Sequence, residues 1–373
     1  MISEKIKIYE PDIEKYKKSA IDAINSGWIS NHGEYVLKTE KILKKIFNIP
    51  YTILMSNGTC AVHCLFLSIK FKYPKINKIY VSNNSYVAAW NPIISEYDIS
   101  TIIPMKMNIN TCNIIEEENY IKSLDTNSCV LIVHNVGNIV NVPRLKRIRP
   151  DLIFIEDNCE GLFGKYENEF SGMSSSTFCS ACSFYGNKII TSGEGGAFFT
   201  HDKEVYDYIK SIYSQGMSSI RYLHNLHAYN YRMTNVQAAF IYDQLIDYLK
   251  ILENKKKIFN NYDELFKDII KTNKVKLIKI NKNTERAPWI YAIRLIDNKL
   301  SVDEIMYLFE ENLIEIRPFF YPINSHEHLN TIKMNDPVSI QLNKEYILLP
   351  SSPKITLEEQ KYIVNFINKK FGK

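Results

Sequence analysis

The sequence predicts an α/β fold, in which a large domain with a mostly parallel central sheet is followed by a smaller α+β domain. The first observation is that short apolar runs, clearest at Cys129–Val133 and Leu152–Ile155, alternate with helical segments. Such runs are typical of parallel strands that helices cover on both faces. The second is the length of 373 residues, which is comfortable for two domains. The third is that the alternation stops after Tyr231.

The predicted large domain begins with two amphipathic helices, over residues 11–25 and from about Glu34 to Phe47. The first has apolar residues at helical spacing and is ended by Ser26-Gly27. Two helices, Thr59–Ile69 and Tyr86–Ile94, are predicted between the strands that follow. The predicted strands are Tyr51–Met55, Lys78–Val81, Ile99–Ile103, Cys129–Val133, Leu152–Ile155, Phe178–Phe184 and Ala197–Thr200.

A long helical segment is predicted from Tyr231 to about Asp268, and the pattern then changes. Strands near Val275–Ile280 and Trp289–Leu295 precede a helix at Val302–Asn312, and a helix at Leu357–Lys370 closes the chain. The boundary is placed near residue 250, so that the predicted domains are residues 1–250 and 251–373.

Composition argues against several classes of protein. The net charge of +5 comes from 46 basic and 41 acidic residues spread along the chain, so no nucleic-acid surface is predicted. The densest basic run, Lys255-Lys256-Lys257, is interpreted as a solvated helix face. No apolar run approaches the roughly 18 residues of a membrane span, and residues 1–10 do not resemble a signal peptide. We therefore expect a cytoplasmic protein without membrane contact.

The cysteines do not suggest disulfides or a metal site. Seven cysteines at irregular spacing favour a reduced setting. Cys179 and Cys182 form a CxxC without a second ligand pair, and they are interpreted as small residues of a buried strand. No metal is predicted.

Ligands of an open parallel sheet bind beyond the carboxyl ends of its strands, and three segments there carry candidate chemistry. The first, Ser56-Asn57-Gly58-Thr59, leads from a strand into a helix. Free N–H groups at the helix start, a glycine and the Thr59 hydroxyl suit a phosphate. The alternative is an ordinary helix cap.

The second segment, Glu156-Asp157-Asn158-Cys159-Glu160, places three carboxyl groups after a buried strand. One of them could face a cationic ligand atom, or the acids could decorate a helix N-terminus. The third segment holds Lys188 among apolar residues and glycine turns. A desolvated lysine can form a Schiff base, and the alternative is a structural ion pair with one of the three acids.

Together the three segments match one cofactor. Pyridoxal phosphate needs a phosphate cradle, a lysine for its aldehyde and an acid at its ring nitrogen. Gly58 and Thr59, Lys188, and Asp157 would supply these groups. A nicotinamide enzyme would need a G-x-G-x-x-G after the first strand, which is missing there. A regulator would need an added DNA-binding module, for which the chain has no spare length.

The same segments identify a resemblance to the DegT–DnrJ–StrS family of sugar aminotransferases, of the fold type I pyridoxal-phosphate class. It runs from Ser26-Gly27-Trp28-Ile29-Ser30 to the last helix. Beyond the three segments, the resemblance is specific in Tyr229-Asn230-Tyr231-Arg232-Met233-Thr234-Asn235 and in Arg317-Pro318-Phe319-Phe320-Tyr321-Pro322. These motifs are most similar to the perosamine-synthase branch.

The resemblance implies a role for each matching position. Lys188 would carry the cofactor and move the proton between cofactor and sugar. The implied cofactor contacts are Asp157 at the ring nitrogen, Glu160 at the phenolic oxygen, Tyr86 stacked on the ring, Gly58, Thr59 and Ser183 at the phosphate, and Asn230 reaching the phosphate from a second subunit. The implied substrate contacts are Trp28, Ser30, Arg317 and Tyr321. The alternative for Arg317 is a structural arginine held in a corner between a helix and a strand. His134 and Gly137 are interpreted as a structural turn beneath the cofactor.

The implied reaction is a transamination in two halves. An amino donor, expected to be glutamate, would convert pyridoxal phosphate to pyridoxamine phosphate, which would then aminate C4 of a nucleotide-linked 4-keto-6-deoxyhexose. The product would be a perosamine- or viosamine-type sugar nucleotide, made by a homodimer with active sites at the subunit interface. A 3-keto-sugar aminotransferase and a non-catalytic relative remain alternatives. Related 3-dehydratases replace the Schiff-base lysine with histidine, so Lys188 argues against that activity.

Overall fold

A computed structural model describes residues 4–334 and 336–372. The N-terminal two-thirds contain nine strands and nine helices. The strands are β1 (Tyr51–Met55), β2 (Ile79–Ser82), β3 (Ile102–Met105), β4 (Cys129–Val133), β5 (Ile153–Asp157), β6 (Lys165–Tyr166), β7 (Glu169–Phe170), β8 (Cys179–Ser183) and β9 (Gly196–Thr200). The helices of this described part are α1 (Lys18–Asn25), α2 (Glu34–Phe47), α3 (Gly58–Lys72), α4 (Asn91–Glu96), α5 (Glu118–Lys122), α6 (Val142–Ile148), α7 (Lys203–Ile212), α8 (Asn235–Ile246) and α9 (Tyr248–Leu265).

Seven of these strands form the central sheet, in the order β1-β9-β8-β5-β4-β2-β3. The β3, β2, β4, β5 and β8 strands pair in parallel, whereas β9 is antiparallel to both of its neighbours. Both faces of the sheet are covered. Within β4, for example, Val130 and Ile132 join one apolar core and Cys129 and Leu131 join the other. The predicted mostly parallel α/β architecture is confirmed.

The C-terminal part builds a second, antiparallel sheet. Its elements are β10 (Val275–Leu277), β11 (Thr284–Glu285), β12 (Tyr291–Leu295), α10 (Val302–Glu310), β13 (Arg317–Pro318), α11 (Pro337–Glu345), β14 (Tyr346–Leu349) and α12 (Leu357–Phe371). Four of the strands form a sheet in the order β10-β12-β14-β13, while β11 pairs with β6 of the N-terminal part.

The α9 helix crosses the predicted domain boundary near residue 250. Its Leu252 packs in a core of the N-terminal part, whereas Phe259 and Tyr262 pack in the core beneath the C-terminal sheet. The helix therefore connects the two parts, and the boundary itself stays a prediction.

Two predicted elements between β2 and β4 have different limits in the structure. The helix predicted over Tyr86–Ile94 is a 3-10 turn followed by α4, because Pro92 lacks an N–H and suits the first turn of a helix. The strand predicted from Ile99 begins at Ile102, because the Asp98 side chain accepts a hydrogen bond from Ser100 N and caps a 3-10 turn.

The first and the longest predicted helices are also shorter than expected. The segment predicted as a helix over residues 11–25 has a 3-10 turn at Glu14–Tyr16, and α1 begins only at Lys18. The long segment after Tyr231 is two helices. The Thr234 side chain and Gln237 form a capping box that starts α8 at Asn235, and the chain turns at Asp247 before α9.

The basic run on α9 differs from its predicted exposure at one residue. Lys256 and Lys257 are exposed as predicted, but Lys255 is only 1% exposed. Its position on the helix faces the core, and its amine donates hydrogen bonds to the carbonyl groups of Trp289 and Ser351. The prediction that all three lysines form a solvated face is wrong for Lys255.

The two cysteines of the CxxC lie on β8 and are buried and free. Cys179 packs in one core and Cys182 in the other, so their thiols lie on opposite faces of the sheet. Among the helices of the described residues, none is both long and apolar enough to cross a membrane. Residues 1–3, part of the segment used for the signal-peptide prediction, lie outside the described residues.

Candidate active site

Lys188 lies in the connection between β8 and β9, at the carboxyl edge of the central sheet. Its Nζ lies 4.0 Å from the centroid of the Trp289 ring. Two hydrogen bonds hold the adjacent backbone, from Tyr9 OH to the Lys188 carbonyl (2.6 Å) and from Trp289 Nε1 to the Asn187 carbonyl (3.0 Å). Across residues 4–334 and 336–372, no carboxylate oxygen lies within 4 Å of the Lys188 amine. The alternative of a structural ion pair is therefore wrong.

A small cavity brings several of the predicted residues together. Lys188 lines it with Glu160 and Ser183, from three different segments of the chain. The other lining residues are Cys159, Leu162, Ile189, Ile190 and Trp289. An amine, a carboxyl group and a hydroxyl thus share one partly apolar space.

The three acids at the end of β5 have different environments: Glu160 lines the cavity, Asp157 is not among its lining residues, and Glu156 is structural. Glu156 is fully buried and accepts hydrogen bonds from His134 Nε2 (2.6 Å), Tyr166 OH (3.1 Å), Gly172 N (2.8 Å) and the Thr177 hydroxyl. The segment after β5 is a turn and not a helix. The alternative that these acids decorate a helix N-terminus is therefore wrong.

Asp157 retains most of its capacity to accept hydrogen bonds. Within the described chain its carboxylate accepts one bond, from Cys159 N at 3.1 Å. Burial raises the pKa of this carboxyl, and hydrogen bonding from Cys159 and the nearby charge of Lys188 oppose that shift. A cationic group beside Asp157 would reverse the shift and pair with it.

Glu160 is one of the residues that line the cavity around Lys188. Its carboxylate accepts a hydrogen bond from Val136 N at 2.8 Å, and burial raises its pKa to about 7. Asn135, which precedes Val136, donates from its side chain to the Asn84 carbonyl at 2.9 Å. This connects Glu160 to the loop that carries Tyr86, whose ring is 62% exposed.

The turn after β1 has the features of an anion cradle. The Asn57 side chain caps Cys60 N at 2.9 Å, while the N–H groups of Gly58 and Thr59 have no acceptor among the described residues. A Cβ at Gly58 would lie 2.8 Å from Ser183 Cβ. The backbone of Gly58 and the Ser183 hydroxyl therefore face one space, which a phosphate of pyridoxal phosphate would suit.

His134 and Gly137 have the structural contacts predicted for them. His134 Nδ1 accepts from Val140 N at 3.1 Å, so its Nε2 donates to Glu156. Gly137 has φ of +78°, and a Cβ there would lie 2.3 Å from the Ala287 carbonyl oxygen.

The predicted substrate residues lie in two exposed segments. Trp28 is 63% exposed, and its loop is held by Asn235, which donates to the Trp28 carbonyl at 2.7 Å and whose N–H contacts the Ser30 carbonyl at 3.2 Å. Tyr321 is half-exposed beside the loop of Tyr86, because Ile323 N donates to the Asn83 carbonyl at 2.8 Å.

Arg317 and Asn230 are less closely tied to the cavity. Arg317 forms an ion pair with Glu315 (2.6 Å) and keeps a half-exposed side chain. Asn230 is exposed and pairs with Ser214 in an isolated bridge, and neither Arg317 nor Asn230 lines the cavity around Lys188.

Sequence reasoning missed the residues that hold the lysine in place. Tyr9 is 179 positions away from Lys188 and Trp289 is 102 positions from Asn187. Neither lies at the end of a strand in the central sheet, where the strand pattern predicts a ligand site. No local pattern could have indicated contacts over such separations.

Comparison with known proteins agrees with this geometry. The sequence model of the DegT/DnrJ/EryC1/StrS aminotransferase family matches residues 11–368. GDP-perosamine synthase from Escherichia coli O157:H7 is 29% identical, covering 97% of this chain and 98% of its own. GDP-perosamine synthase from Vibrio cholerae is 30% identical, covering 98% and 99%. Among solved structures, Helicobacter pylori PseC, an aminotransferase involved in the biosynthesis of pseudoaminic acid, matches with a TM-score of 0.89 over 98% of this chain and 99% of its own, at 21% identity.

Proposed function

The chain belongs to the DegT/DnrJ/EryC1/StrS aminotransferase family, and from this premise we propose that it transfers an amino group to C4 of a nucleotide-linked 4-keto-6-deoxyhexose. The product is a 4-amino-4,6-dideoxy sugar nucleotide, with GDP as the favoured nucleotide and glutamate as the amino donor. The similarity to two GDP-perosamine synthases along almost the whole chain supports this substrate class. The observation that carries the chemistry is a Lys188 amine that has no ion-pair partner among the described residues and lies in a cavity shared with Glu160 and Ser183.

The enzyme depends on pyridoxal phosphate, which supplies an electron sink for the carbon that gains or loses the amine. Lys188 would hold the cofactor, and its amine would serve as the acid–base group at the reacting carbon. Asp157 pairs with the ring nitrogen and keeps it protonated, and Glu160 lies at the phenolic oxygen.

Gly58, Thr59 and Ser183 bind the cofactor phosphate in this proposal. The free N–H groups at the start of α3 and the close approach of Gly58 to Ser183 support this assignment. Tyr86 stacks on the cofactor ring, which its position after the Asn84 contact with Asn135 supports.

The active enzyme is a homodimer, in which Asn230 reaches the phosphate bound by the partner subunit. Asn230 is exposed, and the segment before it carries a group of exposed apolar side chains that a second copy would cover. These side chains are Met217, Ile220, Tyr222, Leu223 and Leu226.

The substrate is held by Trp28, Ser30, Arg317 and Tyr321. Arg317 offers a guanidinium group suited to phosphate or hydroxyl oxygens. This group already pairs with Glu315, so it would bind Glu315 and the substrate together. Tyr321 is next to the loop of Tyr86, which supports a place for it over the cofactor.

The test is a half-reaction with defined sugars. The protein is loaded with pyridoxamine phosphate, and GDP-, UDP- and dTDP-linked 4-keto-6-deoxyhexoses are added one at a time while the absorbance of pyridoxal phosphate is followed. We expect the absorbance to return with the GDP sugar in the native protein and in Lys257→Ala, an exposed lysine, and not in Lys188→Ala. Return of the absorbance with none of the three 4-keto sugars would contradict the proposed substrate.

A further inference from the structure

Lys255 is a buried lysine without an acidic partner. It lies on α9 with 1% of its surface exposed, and no carboxylate oxygen lies within 4 Å of its amine in the described part of the chain. Burial lowers its pKa to about 7. Placing an amine in such a site costs free energy that an apolar side chain would avoid. The neighbouring Lys256 and Lys257 are exposed, so burial is a property of this one position.

The amine joins two strand ends of the C-terminal sheet. Its Nζ donates to the Trp289 carbonyl at 2.8 Å and to the Ser351 carbonyl. Trp289 precedes β12 and Ser351 follows β14, which pairs with β12. Ser351 also donates its N–H to the Ile8 carbonyl at 3.1 Å, so the N-terminal segment is held at the same place.

The Lys255 amine contacts both residues that hold the segment of Asn187 and Lys188, namely Tyr9 and Trp289. The Tyr9 ring centroid lies 5.3 Å from Lys255 Nζ, and Tyr9 OH donates to the Lys188 carbonyl at 2.6 Å. Trp289 accepts from Lys255 with its carbonyl, donates from Nε1 to Asn187 and places its ring 4.0 Å from Lys188 Nζ.

We propose that Lys255 is a positioning residue for Lys188, acting through Trp289 and Tyr9. Its amine fixes the Trp289 backbone and the Tyr9 ring, and these two side chains fix the segment of Asn187 and Lys188. The inference rests on the proposed role of Lys188 as the residue that holds the cofactor.

The test uses the full-length protein and the variant Lys255→Met, which retains length and apolar volume but removes both hydrogen bonds. Lys257→Met on the same helix is the matched control. In the cofactor-free protein, we expect amide hydrogen exchange of residues 185–190 to be about tenfold faster in Lys255→Met than in the native protein. This is the increase expected when the segment loses the stabilisation of one hydrogen bond. The visible circular dichroism of bound pyridoxal phosphate should also differ from that of the control.

A double-mutant cycle separates positioning from general destabilisation. Trp289→Phe removes the bond to Asn187 and leaves the carbonyl that Lys255 binds. If Lys255 acts through Trp289, the effects of Lys255→Met and Trp289→Phe on exchange of residues 185–190 are less than additive. Additive effects, or exchange and dichroism equal to those of Lys257→Met, would overturn the proposal.

The test remains decisive if Lys255→Met does not fold or if the proposed sugar specificity fails. Should Lys255→Met not fold, Lys255→Leu, which also removes both hydrogen bonds, is measured with the same readouts and the same criteria. Neither hydrogen exchange nor dichroism requires a sugar substrate. A failure of the proposed sugar specificity would therefore leave these readouts unchanged, and the two proposals fail separately.

Discussion

The Lys188 amine lies against the face of the Trp289 indole ring, 4.0 Å from its centroid. A cation over an aromatic face is stabilised by roughly 0.5–2 kcal/mol. We expect Trp289→Leu, which removes the ring, to slow the half-reaction by about tenfold, because the amine loses this contact. Trp289→Phe should retain more of the rate than Trp289→Leu, since it keeps an aromatic face. Equal rates for Trp289→Leu and the native protein would show that the contact has no role in catalysis.

Loss of charge should lower stability at Glu156 and turnover at its neighbour Asp157. Glu156 is saturated by protein donors, including His134, so Glu156→Gln should lower the free energy of unfolding by about 3–5 kcal/mol. Urea unfolding measures this change. A loss below about 1 kcal/mol would mean that the buried pair is dispensable.

Asp157→Asn should leave unfolding nearly unchanged and reduce turnover by about 100-fold or more, because it removes the charge that holds the ring nitrogen protonated. Asp157 accepts only one hydrogen bond from the described residues, so little structure depends on it. Turnover is measured at saturating cofactor. Full activity in Asp157→Asn would exclude the role assigned to this residue.

Gly58→Ala should weaken cofactor binding by roughly tenfold or more, because its Cβ would lie 2.8 Å from Ser183 Cβ and would crowd the phosphate site. Gly186→Ala is a matched control, because the nearest atom to its added Cβ, the Gly193 carbonyl oxygen, is 3.9 Å away. Titration of the cofactor-free proteins with pyridoxal phosphate gives both affinities. Equal affinities would place the phosphate elsewhere.

Stability should rise with pH in a window set by Lys255. Burial lowers its pKa from the ordinary value of 10.5 to about 7, so between these values the unfolded chain holds a proton that the folded chain lacks. Raising the pH through that window therefore favours the folded state, while below it the amine is charged in both states and the cost of burial is fully present. Lys255→Met should show a smaller rise than Lys257→Met in urea unfolding between about pH 7 and about pH 10. Identical slopes would contradict the shift.

The order of elements and the mostly parallel sheet could largely be predicted, whereas the antiparallel direction of β9 could not. The buried parallel strand Cys129–Val133 has a continuous apolar sequence, and so has the first part of Ile153–Asp157, up to Ile155, which identifies both strands without their partners. Gly196–Thr200 has the same kind of sequence and runs antiparallel to its neighbours. A strand buried on both faces has similar residues in either direction, so only the connection decides.

The site could be predicted where a residue follows a strand, and not where its environment comes from distant segments. Asp157 ends β5, and Gly58 and Lys188 follow β1 and β8, where the carboxyl edge of the sheet predicts a ligand site. The burial of Lys255 depends on carbonyl groups 34 and 96 positions away, and its sequence context of three lysines indicates an exposed helix face. Glu156 and Asp157 look alike in sequence, and only the donors around Glu156 separate their roles.

The most direct test of the account is to locate the cofactor on the protein. The native protein is loaded with pyridoxal phosphate and treated with borohydride, which fixes the cofactor covalently to the amine that holds it, and the modified residue is identified by mass spectrometry of peptides. We predict a single modification at Lys188, with none in the Lys188→Ala variant. Modification at Lys255 or at exposed lysines instead, or no modification at all, would contradict the assignment on which the proposed function depends.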